Sequence, residues 1–223
     1  MRTRRSVLAA MGAVPALLAP AAALALDPAD VSQPPRSLPP LLGTRERAIG
    51  DPVALLPRAA VLRGPLDLRT CARLERRLMR ALPGATEARD PTYLWHAVTA
   101  APPFARLRFA NDFVNRARYR PDRNRDPWAD ADELFARGGD CEDFAIAKYK
   151  VLRQMGFHPE RLRLVLVRDT QVRRQHALMA AYVEDRVWLL DSRVRRVVEQ
   201  AGVDHYRPYV SLSERQMWRH AAA

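Results

Sequence analysis

The stretch GGDCEDFAIAKYKVLRQMGF, from Gly138 to Phe157, places one of the chain's two cysteines, Cys141, between Asp140 and Glu142, with Asp143 close behind. A thiolate is the reactive form of cysteine, and neighbouring acids disfavour it. Asp140 has the type and position of a helix N-cap, and Asp143 stands where the acid of a capping box would. Cys141 then opens a helix, where unsatisfied amides lower a thiol's pKa. The acids have two readings. They cap the helix and compensate its dipole, or they supply hard oxygen ligands for Ca²⁺, although the EF-hand loop pattern is absent. A nucleophilic cysteine also needs a base, and the base needs an orienting group. Of His96, His158, His176, His205 and His220, only His176 has an evident partner. It begins an alternating segment, HALMAAYV, and the next segment, RVWLLD, ends in Asp191. If Glu184-Asp185 is a two-residue hairpin turn, Leu178 faces Asp191. His176 and Asp191 are then diagonal neighbours on one face, about 7–8 Å apart at the backbone. A slip of one residue separates them onto opposite faces. The plainer alternative is a satisfied histidine at a strand start and an aspartate capping a strand end.

The elements that must position these groups follow from periodicity. Cys141 to Met155 reads as a helix with Phe144, Ala147, Val151 and Met155 on its core face, stopped by Gly156. Pro102-Pro103 opens a helix from Phe104 to about Arg118, and a short one covers Asp130 to Ala136. Asp67 to Leu82 reads as a further helix, ended by Pro83-Gly84. Beyond Gly156 the period changes to two. RLRLVLVRD, HALMAAYV and RVWLLD are strands, and Val194–Val198 and Tyr206–Leu212 are candidates for more. Helices first and an antiparallel sheet afterwards is an α+β plan.

These residues resemble the bacterial transglutaminase-like cysteine proteinases, a family that includes the LapG-type periplasmic proteases. The resemblance rests on Gly139-Asp140-Cys141-Glu142-Asp143, on Ala145 to Tyr149, Leu152 and Gly156, and on RLRLVLVRD, His176-Ala177-Leu178 and Leu190-Asp191. Trp128, Glu133 and Leu134 fit the family's approach to the cysteine, and the likeness runs from Phe104 to Val198. Two departures stand out: Ser192 follows Asp191 where the family usually has Asn, and the loop before Cys141 is one residue shorter. The resemblance implies a papain/transglutaminase-like core, with a helical lobe before an antiparallel sheet lobe, and a Cys141–His176–Asp191 triad. It implies endoproteolysis of a protein substrate, in LapG-type enzymes a large surface adhesin whose release disperses biofilm. It also implies Ca²⁺ held by Asp140, Glu142 and Asp143, and sequestration by an inner-membrane cyclic-dinucleotide receptor. The same triad would serve a transglutaminase, an amidase or a cell-wall peptidase. A periplasmic binding module could also keep the motif without catalysis.

The rest of the chain sets the compartment. Residues 1–25, MRTRRSVLAAMGAVPALLAPAAALA, combine a basic start, an apolar run and a small-x-small end, as an export signal does, twin-arginine-like or Sec. Its apolar run is broken by Pro15 and Pro20, short for a membrane span. The expected mature protein is periplasmic and does not span the membrane. In an oxidising compartment Cys71 and Cys141 could pair. However, Cys71 shares a helical stripe with Leu74, Leu78 and Leu82, as a buried, inert thiol would. Residues 26–66 are proline-rich and read as an extended arm, leaving 67–223 as the catalytic domain. The net charge of +12 could suit nucleic acid, but its arginines are scattered along the chain and no nucleic-acid-binding signature is present.

Overall fold

The computed structural model describes residues 30–35, 38–64, 66, 70, 72–73, 76, 98–121 and 128–223. The export signal, Cys71, His96 and most of the expected helix from Asp67 to Leu82 lie outside them.

A seven-stranded antiparallel sheet is the frame: β1 (Thr44–Gly50), β2 (Leu162–Asp169), β3 (Arg174–Val183), β4 (Arg186–Leu190), β5 (Val198–Glu199), β6 (Tyr206–Leu212) and β7 (Met217–Ala222). Their spatial order is β1-β7-β6-β2-β3-β4-β5. The helices whose full extent lies among the described residues are the one-turn α1 (Pro52–Leu55), α2 (Pro103–Val114), α3 (Ala131–Arg137) and α4 (Cys141–Gln154). Helices and an antiparallel sheet therefore build the α+β fold that the change of period predicts.

Alternation along the strands divides two cores. Leu162, Leu164, Met179, Ala181 and Leu190 pack with α4 and α2 on one face, while Val165, Val167, Leu178, Ala180 and Tyr206 form a second cluster on the other. The helix α4 is buried on every side from Asp143 to Leu152, not along one stripe, because the sheet, α2 and α3 all close on it. Two lysines, Lys148 and Lys150, are buried with it; Lys150 reaches Asp130 at 2.9 Å.

Several boundaries differ from the sequence-based expectations. The proline-rich stretch contributes an edge strand, β1, which pairs only with β7; an edge position tolerates the flanking prolines. The strand expected at Val194–Val198 shrinks to β5, since Asn111 and Asn115 of the α2 end hold the carbonyls of Asp191, Val194 and Arg195. The helix α2 stops at Val114 rather than Arg118, where the amides of Arg116 and Ala117 turn back to the carbonyls of Phe113 and Val114, three residues earlier instead of four. No described helix is long and apolar enough to cross a membrane.

Candidate active site

The start of α4 is built from its acids. Asp140 is the N-cap, and its Oδ1 accepts the Glu142 amide at 3.3 Å. Asp143 completes the capping box: its Oδ2 accepts the Asp140 amide at 3.1 Å, and its Oδ1 accepts the Ala129 amide at 2.8 Å. Gly139 must be glycine, because a Cβ there would collide with the Asp143 carboxylate. The turn is pinned from outside as well. Gly139 donates to the Arg118 carbonyl and accepts from the Arg120 amide, so Tyr119 lies beside it, exposed.

Cys141 is thereby fixed as the first residue of the helix, half-buried and a free thiol. Its Sγ donates to Glu142 Oε2 at 2.9 Å. Burial pushes the thiol pKa well up, and the Glu142 charge and hydrogen bond and the Asp140 charge add to this. The Ala177 backbone N–H, directed at the sulfur, works the other way. Ala177 adjoins His176, so the same contact brings β3 to the thiol.

The hairpin has the register on which the sequence argument depended. Val183 pairs with Arg186 across Glu184-Asp185, and Met179 pairs with Leu190, so Asp191 follows opposite Leu178. His176 Nε2 lies 2.8 Å from Asp191 Oδ1, both groups being buried. The structure adds a third member. Tyr206 of β6 donates its hydroxyl to Asp191 Oδ2 at 2.6 Å, and the Arg193 amide donates to Oδ1 at 2.8 Å. Burial alone would raise the Asp191 pKa, but the hydrogen bond and charge of His176, helped by the Arg193 amide and Tyr206, hold it down at about 2. Asp191 is thus anionic. With Nε2–H committed to Asp191, the other nitrogen of His176, Nδ1, is buried and has no hydrogen-bond partner among the described residues.

The other described histidines, His158, His205 and His220, have partners of their own. His158 accepts the Glu160 amide, His205 lies against the Tyr206 ring, and His220 joins Thr44 to Ser211. Of the three acids expected around the thiol, Asp140 and Glu142 converge with Cys141, their donor atoms all within 4.8 Å of one another. Asp143 is turned inward, both its oxygens taken by backbone amides. Trp128, just before the turn, is buried beneath Arg58 at 4.8 Å. Sequence reasoning missed Tyr206 as a partner of Asp191, and no local pattern reveals it, because the contact depends on β6 pairing with β2 across a long connection. It missed Lys148 too, whose buried Nζ has no hydrogen bond among the described residues; burial lowers its pKa to about 7, against the Asp191 charge.

Comparison with known proteins bears on the fold and the family. No curated protein matches the sequence significantly. Among solved structures, LapG of Legionella pneumophila superposes with a TM-score of 0.56 at 25% identity, covering 70% of this chain and 90% of that one. Its calcium-bound form gives 0.55 at 25% identity, covering 66% and 87%. An EGTA-treated form gives 0.56 at 25%, covering 70% and 87%. The model of the bacterial transglutaminase-like cysteine proteinases matches residues 95–221, a span that holds Cys141, His176 and Asp191 together, and the chain therefore belongs to that family of cysteine proteases.

Proposed function

We propose that the protein is an exported, calcium-dependent endopeptidase with Cys141 as nucleophile, His176 as base and then acid, and Asp191 as orienting anion. The observation that carries this is the buried chain Tyr206–Asp191–His176, which leaves His176 Nδ1 without a partner among the described residues, next to the residue whose amide meets the thiol. In the reaction, Nδ1 takes the thiol proton as sulfur attacks the scissile carbonyl carbon. The anionic Asp191 stabilises the imidazolium so formed. The carbonyl oxygen gathers negative charge, for which the Cys141 amide at the helix start is a natural donor. As the C–N bond breaks, the imidazolium protonates the leaving amine. Water, deprotonated by His176, then hydrolyses the thioester and frees Cys141.

Glu142 is the obstacle in this scheme, since its carboxylate accepts the thiol proton's hydrogen bond and its charge opposes the thiolate. The donor set fits Ca²⁺: two carboxylates, Asp140 and Glu142, are hard oxygen donors beside a sulfur that the ion would leave free. Asp143 supports the turn from behind. A bound cation supplies positive charge that offsets the acids near the thiol.

The proposed compartment is the periplasm, after loss of residues 1–25. The proposed substrate is a large surface adhesin, cut near its N-terminus to release cells from a biofilm, and an inner-membrane cyclic-dinucleotide receptor is the proposed regulator. The test is cleavage of the N-terminal segment of a large repeat adhesin from the same genome. Wild type with Ca²⁺ should cut it, while Cys141→Ala, His176→Ala and EGTA-treated wild type should not, and added Ca²⁺ should restore the last. Undiminished cleavage by Cys141→Ala would reject the nucleophile. Full activity in EGTA, with no Ca²⁺ bound by calorimetry, would reject the ion.

A further inference from the structure

Arginines that are scattered in the sequence are gathered by the fold. Arg168, near the end of β2, pairs with Gln175 of β3 on one side and with Arg207 of β6 on the other. Arg173 and Arg174 lie at the β2–β3 turn, and Arg195 and Arg196 lie in the segment that leaves Asp191. All six are exposed. They share the sheet end that carries the site: Val167 pairs with His176 one residue before Arg168 pairs with Gln175.

Among the described residues none of the six has an ion pair. The nearby Asp169 is used by Arg193 at 2.9 Å and by the amides of Gln171 and Val172. Arg168 and Arg207 stand directly opposite each other, an arrangement of like charges that destabilises a sheet. Arg207 donates to the carbonyls of Asp204 and Tyr206, but among the described residues no carboxylate compensates the charge of the six, as an anionic partner would. At the centre of the site the sign reverses, with Asp140 and Glu142 beside the thiol.

We infer that this rim binds an acidic stretch of the polypeptide substrate, to one side of the scissile bond. The inference rests on the reading of Cys141, His176 and Asp191 as the catalytic site. A polypeptide is favoured over an anionic polymer or lipid because the rim adjoins the groups that act on peptide bonds. Steering of this kind raises encounter rates by about tenfold or more and fades with salt.

The test uses full-length mature Cys141→Ala protein, so that binding is read without turnover. A fluorescein-labelled Asp/Glu-rich peptide is compared by anisotropy with the same peptide carrying Ser at the acidic positions. The acidic peptide should bind about tenfold tighter or more in low salt, and the preference should vanish near 0.5 M salt, where screening is nearly complete. The triple variant Arg168→Glu, Arg174→Glu, Arg196→Glu should abolish the preference. A control with the same change in net charge, Arg45→Glu, Arg47→Glu, Arg219→Glu on β1 and β7, should keep it. Equal binding of the two peptides, or equal loss in the control, would overturn the inference. So would rim-dependent binding to phosphatidylglycerol vesicles with no peptide preference. Wild-type hydrolysis of a fluorogenic peptide library is scored separately: hydrolysis dependent on Cys141 but blind to flanking acids removes the rim and leaves the catalytic reading standing.

Discussion

Replacing Lys148 by methionine keeps the length of the side chain and removes a charge that the fold does not accommodate. Lys148 is fully buried in α4, and its Nζ has no hydrogen-bond partner among the described residues. Burial lowers its pKa from 10.5 to about 7, the Asp191 charge opposing. Between these values the unfolded chain holds a proton that the folded protein has released, so stability rises with pH. The slope approaches about 1.4 kcal/mol per pH unit, and the rise between pH 7 and pH 9 comes to roughly 2 kcal/mol once half-protonation near pH 7 is allowed for. Cys141 acts in the opposite direction over this range, because its raised pKa keeps a proton that the unfolded thiol loses. The difference between wild type and Lys148→Met cancels that contribution. Urea unfolding at pH 7, 8 and 9 is therefore the assay, in EGTA so that metal linkage does not enter. The variant should be the more stable protein at pH 7, and its advantage should shrink by roughly 2 kcal/mol by pH 9. Parallel curves for the two proteins would refute the reasoning and mean that Lys148 keeps its charge inside the fold.

Tyr206→Phe removes one buried hydrogen bond to Asp191 and should cost about 1–3 kcal/mol of stability, with kcat falling more than KM rises, read by urea unfolding and steady-state kinetics. Gly139→Ala drives a Cβ into the Asp143 carboxylate and should break the capping box, lowering Tm by several degrees or more for a loss above about 1 kcal/mol; an unchanged melting curve would contradict the role given to Gly139. Glu142→Gln keeps a hydrogen-bond acceptor for the thiol and removes the charge. In EGTA, the midpoint of iodoacetamide alkylation of Cys141 against pH should move down, and an upward move would mean that the Glu142 charge does not act on the sulfur.

What could be read from the sequence was what depends on neighbours in the chain. Asp140 and Asp143 flank the helix start at capping-box spacing, and that spacing alone positions Cys141. The His176–Asp191 pair followed from a two-residue turn and strand alternation, although Glu184 must adopt a φ of 54° to make the turn. What could not be read depends on pairing between distant segments. Tyr206 reaches Asp191 only because β6 pairs with β2, and β1 becomes a strand only because β7 pairs with it. The burial of Lys148 is a further such case, since a lysine in a helix sequence carries no sign that its solvent will be taken away. The apolar stripe of α4 is real, but three neighbours close round the helix and leave its polar side no solvent. The basic rim is the same case: no run of arginines announces it, and four strand ends meeting at one edge create it.

The acids around Cys141 divide by what the fold requires of them. Asp143 is structural, since removing its carboxylate strands two backbone amides, those of Ala129 and Asp140. Asp140 is partly so, as the cap of the first turn. Among the described hydrogen bonds the Glu142 carboxylate touches only the thiol. An acid in the first turn of a helix contributes about 0.3–1 kcal/mol through the dipole, and a residue placed away from Sγ could supply that equally well. Its position therefore has a cost to a nucleophile with no matching structural gain. That imbalance disappears if a cation takes up the Asp140 and Glu142 carboxylates, for then the charge that suppresses the thiolate in the metal-free protein is the charge that recruits the ion. In the metal-free protein those two carboxylates repel an acidic peptide at the thiol while the arginines beyond them attract one, so that occupation by the ion would change the charge at the nucleophile and leave that of the rim unchanged.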